Sequence, residues 1–167
     1  VPRTLKAYSL YLQYSNQKRP LLIADLKEDV LDEILKKLQI EHIKLHIHCT
    51  GYVPNSDLPY LYNGAYIFLY TSLRESFGIP ILEAMACGTP VITSNTSSMP
   101  EIAGEQAILV NPYKEENIME KLLLLESDTH LYQQQIIYGL QRIKTFSWEN
   151  TAKKLLSIYS SLSKEQA

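Results

Sequence analysis

Two glutamates eight positions apart, Glu75 and Glu83, stand in residues 71–88, TSLRESFGIPILEAMACG. Between them the loop residues Ser76, Phe77 and Gly78 lead into a helix start marked by Pro80, a residue suited to a first helical turn. The free amides at that start, from Phe77 to Ile79, can receive an anion. Gly78 lets a ligand approach the backbone closely. Two carboxylates beside a phosphate site are electrostatically wrong if they touch the phosphate. They make sense if they accept bonds from sugar hydroxyls, because hydrogen bonds to a charged acceptor are strong. One carboxylate on each side of a diphosphate can hold a ribose and a hexose.

The elements that must position these residues follow from apolar spacing. Leu5, Tyr8 and Leu12 repeat at helical spacing, and Leu21–Ala24 reads as a short buried strand. Leu31, Ile34, Leu35 and Leu38 make a helix stripe, with acids early and Lys36 and Lys37 late, as the helix dipole favours. Residues 43–49 alternate Ile43, Leu45, Ile47 and Cys49 with Lys44, His46 and His48, which predicts a strand near a sheet edge. Ser56 or Asp57 opens a short helix closed by Gly64. Residues 66–70 are apolar throughout and predict a strand covered on both faces. A helix from Pro80 to Gly88 leads to a strand at Val91–Ser94, and another strand covers 107–110. Helices follow at 115–126, at 129–144 and from Trp148. In the last, Ser147 is the cap, and Trp148, Ala152, Leu155, Leu156 and Tyr159 share one face. Strands alternating with helices on short links predict an α/β domain, a Rossmann-like parallel sheet flanked by helices. In such sheets ligands bind beyond the carboxyl ends of the strands, which singles out residues 49–54, 71–78 and 95–100.

Composition narrows the function classes. The chain has 167 residues, 46% hydrophobic and 20% charged, enough for one domain with a real core. A net charge of −2 gives no broad basic surface for nucleic acid and no polybasic membrane anchor. The longest apolar runs are too short to span a bilayer, and no signal peptide is evident at the start. Cys49 and Cys87 read as two small buried hydrophobes in a reducing compartment.

The segment E-SFGIPIL-E, followed by AMACGTPVITSN and MPEIAG, resembles the E-x7-E signature and flanks of the retaining, group-1 family of GT-B glycosyltransferases. The resemblance runs from GYVP, residues 51–54, to FSW, residues 146–148. It implies the C-terminal half of a GT-B fold, binding a nucleotide diphosphate sugar. Residue by residue, it implies that Glu75 bonds hydroxyls of the donor sugar as a positioning and electrostatic group, not a general base. It places Ser76, and the amides of Phe77, Gly78 and Ile79, at the sugar and distal phosphate. It gives Glu83 the ribose hydroxyls and Val53 a backbone contact to the base, with residues 95–98 lining the same cleft. It further implies a hexosyltransferase, for mannose or a similar sugar, acting on a glycan or lipid-linked acceptor. Such an enzyme builds a surface glycan at the cytoplasmic face of a membrane, where it associates peripherally.

No D-x-D pair, the usual metal–diphosphate clamp of the other large glycosyltransferase fold, is present, so no metal and no cofactor are expected. In the family an Arg and a Lys on a loop after the first strand neutralise the diphosphate. Here VPRTLKAYSLYLQ resembles the helix after that loop, which puts the first strand and its loop upstream of Val1 and leaves residues 1–167 an incomplete donor-binding domain. Arg3 falls in or beside the helix and is a poor substitute. The strands at 21–24 and 66–70 then either close the gap or leave an apolar edge. The acceptor site falls to an N-terminal domain, so the fragment alone is expected to be inactive.

Other residues have plainer readings. His46 and His48 have the spacing of two ligands on one strand face but lack a third, and read as a solvated edge. His42 and His130 carry no signal, and Arg74 reads as an exposed loop cation. The 12 tyrosines fall mostly at core spacing, and packing explains them first. Two other functions stay open. One is a non-catalytic nucleotide-sugar-binding or regulatory module. The other is a receiver or flavodoxin-like domain, for which Asp25 is the single strand-end acid.

Overall fold

The computed structural model describes residues 1–164. Helix α1 (Pro2–Tyr14) is followed by β1 (Leu21–Ala24), α2 (Glu28–Leu38), β2 (Ile47–Gly51) and α3 (Leu58–Gly64). Then come β3 (Phe68–Tyr70), α4 (Ile79–Ala86), β4 (Val91–Ser94), α5 (Met99–Ala103) and β5 (Ile108–Val110). Helices α6 (Glu115–Ser127), α7 (Thr129–Arg142) and α8 (Trp148–Lys164) complete the order. Every strand pairing is parallel. This is the expected α/β architecture of parallel strands flanked by helices.

The sheet comes in two pieces. One pairs β1 with β2, and the other has the order β3-β4-β5. In the second, β4 is central and buried at all four positions. Side chains alternate across a strand, so Ile92 enters one apolar cluster and Val91 the other. The first cluster joins Leu5, Tyr8 and Leu12 of α1 to Leu31 and Leu35 of α2, Ile47 of β2, Val110 of β5 and Ile118 of α6. Helix α1 therefore packs beneath both sheet pieces. The second cluster holds Tyr62, Ile81, Met85, Met99 and Ile102.

The structure settles the gap expectation in favour of an open edge, for β1 and β3 do not pair. Residues 66–70 are consequently not a fully covered strand. Only Phe68–Tyr70 is strand, at an edge, half-buried at each position. On β1, Leu22 is 49% exposed. Side chains tie the two pieces together nearby. The Arg19 guanidinium lies 3.6 Å over the Tyr66 ring, which stacks on Tyr132 with centroids 4.3 Å apart. The Thr4 and Thr71 hydroxyls meet at 2.9 Å. The Arg19 Nε is buried with no acceptor.

One further expectation needs correction. Residues 41–46 form a 3-10 helix, and the strand begins only at Ile47. Ile43 and Ile47, four apart, both reach the core, whereas Leu45 is 91% exposed. The apparent alternation was a helical turn followed by a strand. In α8 the anticipated face exists and Ser147 caps it, with its Oγ accepting from the Asn150 amide at 3.0 Å. That face is not buried, however: Trp148 is 86% exposed, and Leu156 and Tyr159 face solvent with it. No helix among the described residues is long and apolar enough to cross a membrane.

Candidate functional site

The loop between β3 and α4 is shaped by its backbone. Gly78 caps α4 at φ 102°, in the left-handed region that glycine adopts without a side-chain clash. A Cβ there would meet Ile81 Cδ1 at 3.3 Å. Pro80 sits in the first helical turn, where its missing amide costs nothing. The amides from Ser76 to Ile79 donate to no protein group among the described residues, so they are available to an anion.

A second loop, after β4, braces the first. Ser97 Oγ donates to the Glu75 carbonyl at 2.7 Å and accepts from the Glu75 amide at 3.2 Å. Ser98 Oγ lies 3.0 Å from the Glu75 carbonyl and 2.9 Å from that of Phe77. Thr96 Oγ1 donates to the Leu73 carbonyl at 3.2 Å. Ser97 itself is left-handed, at φ 56°. Residues 95–98 adjoin the Glu75 loop, and three of their four side chains are engaged in holding it. From the other side Phe77 meets Phe146 edge-on, with centroids 6.1 Å apart, so the FSW segment packs against the same loop.

Both signature glutamates project from this region. Glu75 is half-buried and accepts from the Tyr70 hydroxyl through Oε1 at 2.7 Å. Glu83 lies exposed on α4 and accepts from the Tyr62 hydroxyl through Oε2 at 3.0 Å. Neither takes part in a salt bridge among the described residues; the ion pairs there are Lys44–Asp32 and Lys153–Glu149. Burial first, and the neighbouring carboxylate second, push both phenols well above their ordinary pKa. The hydroxyls therefore stay protonated and act as donors.

The structure thus places Glu75, Ser76, Phe77, Gly78 and Ile79 on one loop and helix start, with Glu83 in the second turn of α4. Val53 is carried by a different loop. It follows β2 in the other sheet piece, half-buried, with no hydrogen bond joining it to the Glu75 loop. Arg3 is in α1, its guanidinium 5.0 Å from the Tyr113 ring centre, away from the loop role. Arg74 is exposed. No group of three or more His, Cys, Asp or Glu among the described residues can hold a metal ion. Core spacing explains most of the tyrosines by packing, and the bonds of Tyr62 and Tyr70 to the glutamates have no local signal in the sequence.

A parallel sheet flanked by helices, with a paired-glutamate loop after one of its strands, is the architecture of a glycosyltransferase domain of the GT-B type. Residues 1–142 match the family model of the glycosyl transferases group 1, and the chain belongs to that family. It is 36% identical over 161 residues to O-antigen chain mannosyltransferase B of Escherichia coli, covering 95% of this chain and 42% of that protein. Among solved structures, it is similar to the C-terminal domain of a group 1 family glycosyl transferase from Francisella tularensis, at TM-score 0.73 and 25% identity. That match covers 86% of this chain and 77% of the other. It is also similar in fold to Anabaena HepE, crystallised with UDP, at TM-score 0.75 and 20% identity, covering 93% of this chain and 44% of that one. The chain therefore spans less than half the length of the mannosyltransferase it matches.

Proposed function

We propose that this domain binds the donor in a retaining hexosyl transfer from a nucleotide diphosphate sugar. Glu83 takes the ribose hydroxyls and Glu75 the hydroxyls of the sugar. Ser76 and the amides of Phe77, Gly78 and Ile79 take the sugar and distal phosphate, and the Val53 backbone takes the base. The observation that carries this reading is the pair of carboxylates, free of salt bridges, flanking a run of uncommitted amides. Carboxylates suit hydroxyl donors and amides suit an anion, which together match the chemistry of a diphosphate sugar. Glu75 acts by positioning and electrostatics in this scheme, and leaving-group departure produces a short-lived oxocarbenium-like pair attacked on the same face. The mannosyltransferase relative favours mannose or a similar hexose, and the UDP held by HepE favours a nucleotide donor. A glycan or lipid-linked acceptor, peripheral membrane association and a cytoplasmic setting rest on family analogy.

On the same reading, a strand from preceding chain lies between β1 and β3 and carries basic residues to the diphosphate, so no metal has a role. The unpaired edges and the buried, acceptor-less Arg19 Nε support it. Phe68 donates its amide to the Pro90 carbonyl at 2.9 Å, so by strand alternation the Leu69 amide points to the open edge. In the full-length enzyme that amide should exchange as slowly as those of β4. Rapid exchange would count against an inserted strand.

The overall reading is tested by incubating the full-length enzyme with a panel of UDP-, GDP- and ADP-hexoses and acceptor glycans, with product linkage read by NMR. Transfer with retained anomeric configuration is expected. An inverted product would overturn the retaining mechanism, and tight binding without turnover would mark a nucleotide-sugar-binding module instead.

A further inference from the structure

The two glutamates are held by two tyrosines of a single aromatic stack. Tyr62 is 8% exposed, and its ring meets Phe68 edge-on with centroids 5.1 Å apart. Phe68 and Tyr70, two apart on β3, share one face and stack at 5.7 Å with an interplanar angle of 20°. The backbones beneath the hydroxyl-bearing rings are pinned as well. Thr89 Oγ1 donates to the Tyr62 carbonyl at 2.6 Å, and Thr93 Oγ1 donates to the Tyr70 carbonyl at 2.9 Å. Both threonines are buried, Thr89 just before the central strand β4 and Thr93 within it.

We propose that Tyr62 and Tyr70 are positioning residues for donor binding: Tyr62 fixes Glu83, Tyr70 fixes Glu75, and Phe68 locks the two rings at a set separation. The proposal rests on the donor-site reading above. A free glutamate has three rotatable torsions, and ordering them when a ligand arrives loses entropy. A bond to a packed phenol orders them beforehand. It also uses only one of roughly four acceptor positions on each carboxylate, leaving the others for ligand hydroxyls. Because the phenols stay protonated, each carboxylate keeps the acceptor role. Its free lone pairs then select a ligand group that donates, which means a sugar or ribose hydroxyl and not a phosphate oxygen.

A purely structural role makes a different prediction. In that case the carboxylates would serve only to satisfy buried phenols, and loss of a hydroxyl would alter stability without altering affinity. The decisive measurement is a double-mutant cycle in the full-length enzyme. Tyr62→Phe and Glu83→Ala are made singly and together, and binding of UDP, GDP and ADP is measured by calorimetry, following the tightest. Tyr62→Phe should weaken binding about 3- to 10-fold in the wild-type background and have no effect once Glu83 is alanine. An equal loss in both backgrounds would overturn the positioning role while leaving the donor site standing. Absence of any effect from Glu83→Ala would instead sink the donor-site reading. Tyr70→Phe against Glu75→Ala forms a second cycle, read as kcat for transfer, and decides the matter should Tyr62→Phe not fold. There a drop in kcat that vanishes in the Glu75→Ala background is expected, and a drop persisting in it would refute the idea.

Discussion

Glu83→Ala is expected to weaken binding of the free nucleoside diphosphate by about 1–3 kcal/mol, or roughly 5- to 150-fold, in calorimetric titration of the full-length enzyme. Glu83 sits exposed in α4, outside both apolar clusters, so the substitution removes no core packing. Alanine is also the best helix former. What the change removes is a charged acceptor held toward solvent by Tyr62. If that acceptor meets two ribose hydroxyls, its loss falls on nucleotide affinity alone, with or without a sugar attached. The variant also leaves the Tyr62 hydroxyl without its partner, which lowers stability. Combining it with Tyr62→Phe should restore thermal stability without restoring affinity, which separates the two effects. Nucleotide affinity equal to the wild type would refute the ribose role.

Much of this arrangement could be read from the sequence because it is encoded locally. Gly78 and Pro80 mark a helix start by their own backbone chemistry, and the structure has α4 beginning there. Val91–Ser94 is a strand with the bounds its apolar run implies. The charges of α2 lie where the dipole favours them: Glu28 and Asp29 in the first turn, Lys36 and Lys37 in the last. Glu75 and Glu83 stand out for the same reason, since a loop and the helix after it place both within a few residues of the amides.

What escaped the sequence depends on distant partners. The run at 66–70 has the composition of an interior strand, but interior position depends on neighbours on both edges, and β3 has one. Ile43, Ile47 and Cys49 fit both a strand and a turn of 3-10 helix leading into one, and only the exposure of Leu45 separates them. Core spacing points the tyrosines to packing, which for Tyr62 and Tyr70 is half of what they do. Their rings are in the apolar stack, but where their hydroxyls end depends on how α3 and β3 dock beside α4, which no spacing rule reports. Likewise, the hydroxyls of Thr96, Ser97 and Ser98 look free for a ligand in the sequence, and are spent on the backbone of the Glu75 loop.

That bracing is what makes the Glu75 side chain a clean target. The loop is held through the Glu75 amide and carbonyl by Ser97 and Ser98, bonds that survive any change of side chain. Glu75→Ala should therefore leave the loop and its free amides in place, and nucleoside diphosphate affinity within about twofold of the wild type. Transfer should nevertheless fall by about 100-fold or more in kcat, because a misplaced sugar loses near-attack geometry and the developing positive charge loses a fixed carboxylate. Glu75→Gln distinguishes those two contributions. It keeps the size of the side chain, and its amide oxygen can still accept from Tyr70. If charge dominates, the glutamine variant turns over about as slowly as alanine; if geometry dominates, it recovers most of the rate. Wild-type turnover by the alanine variant would remove Glu75 from the site altogether, whatever its place in the loop.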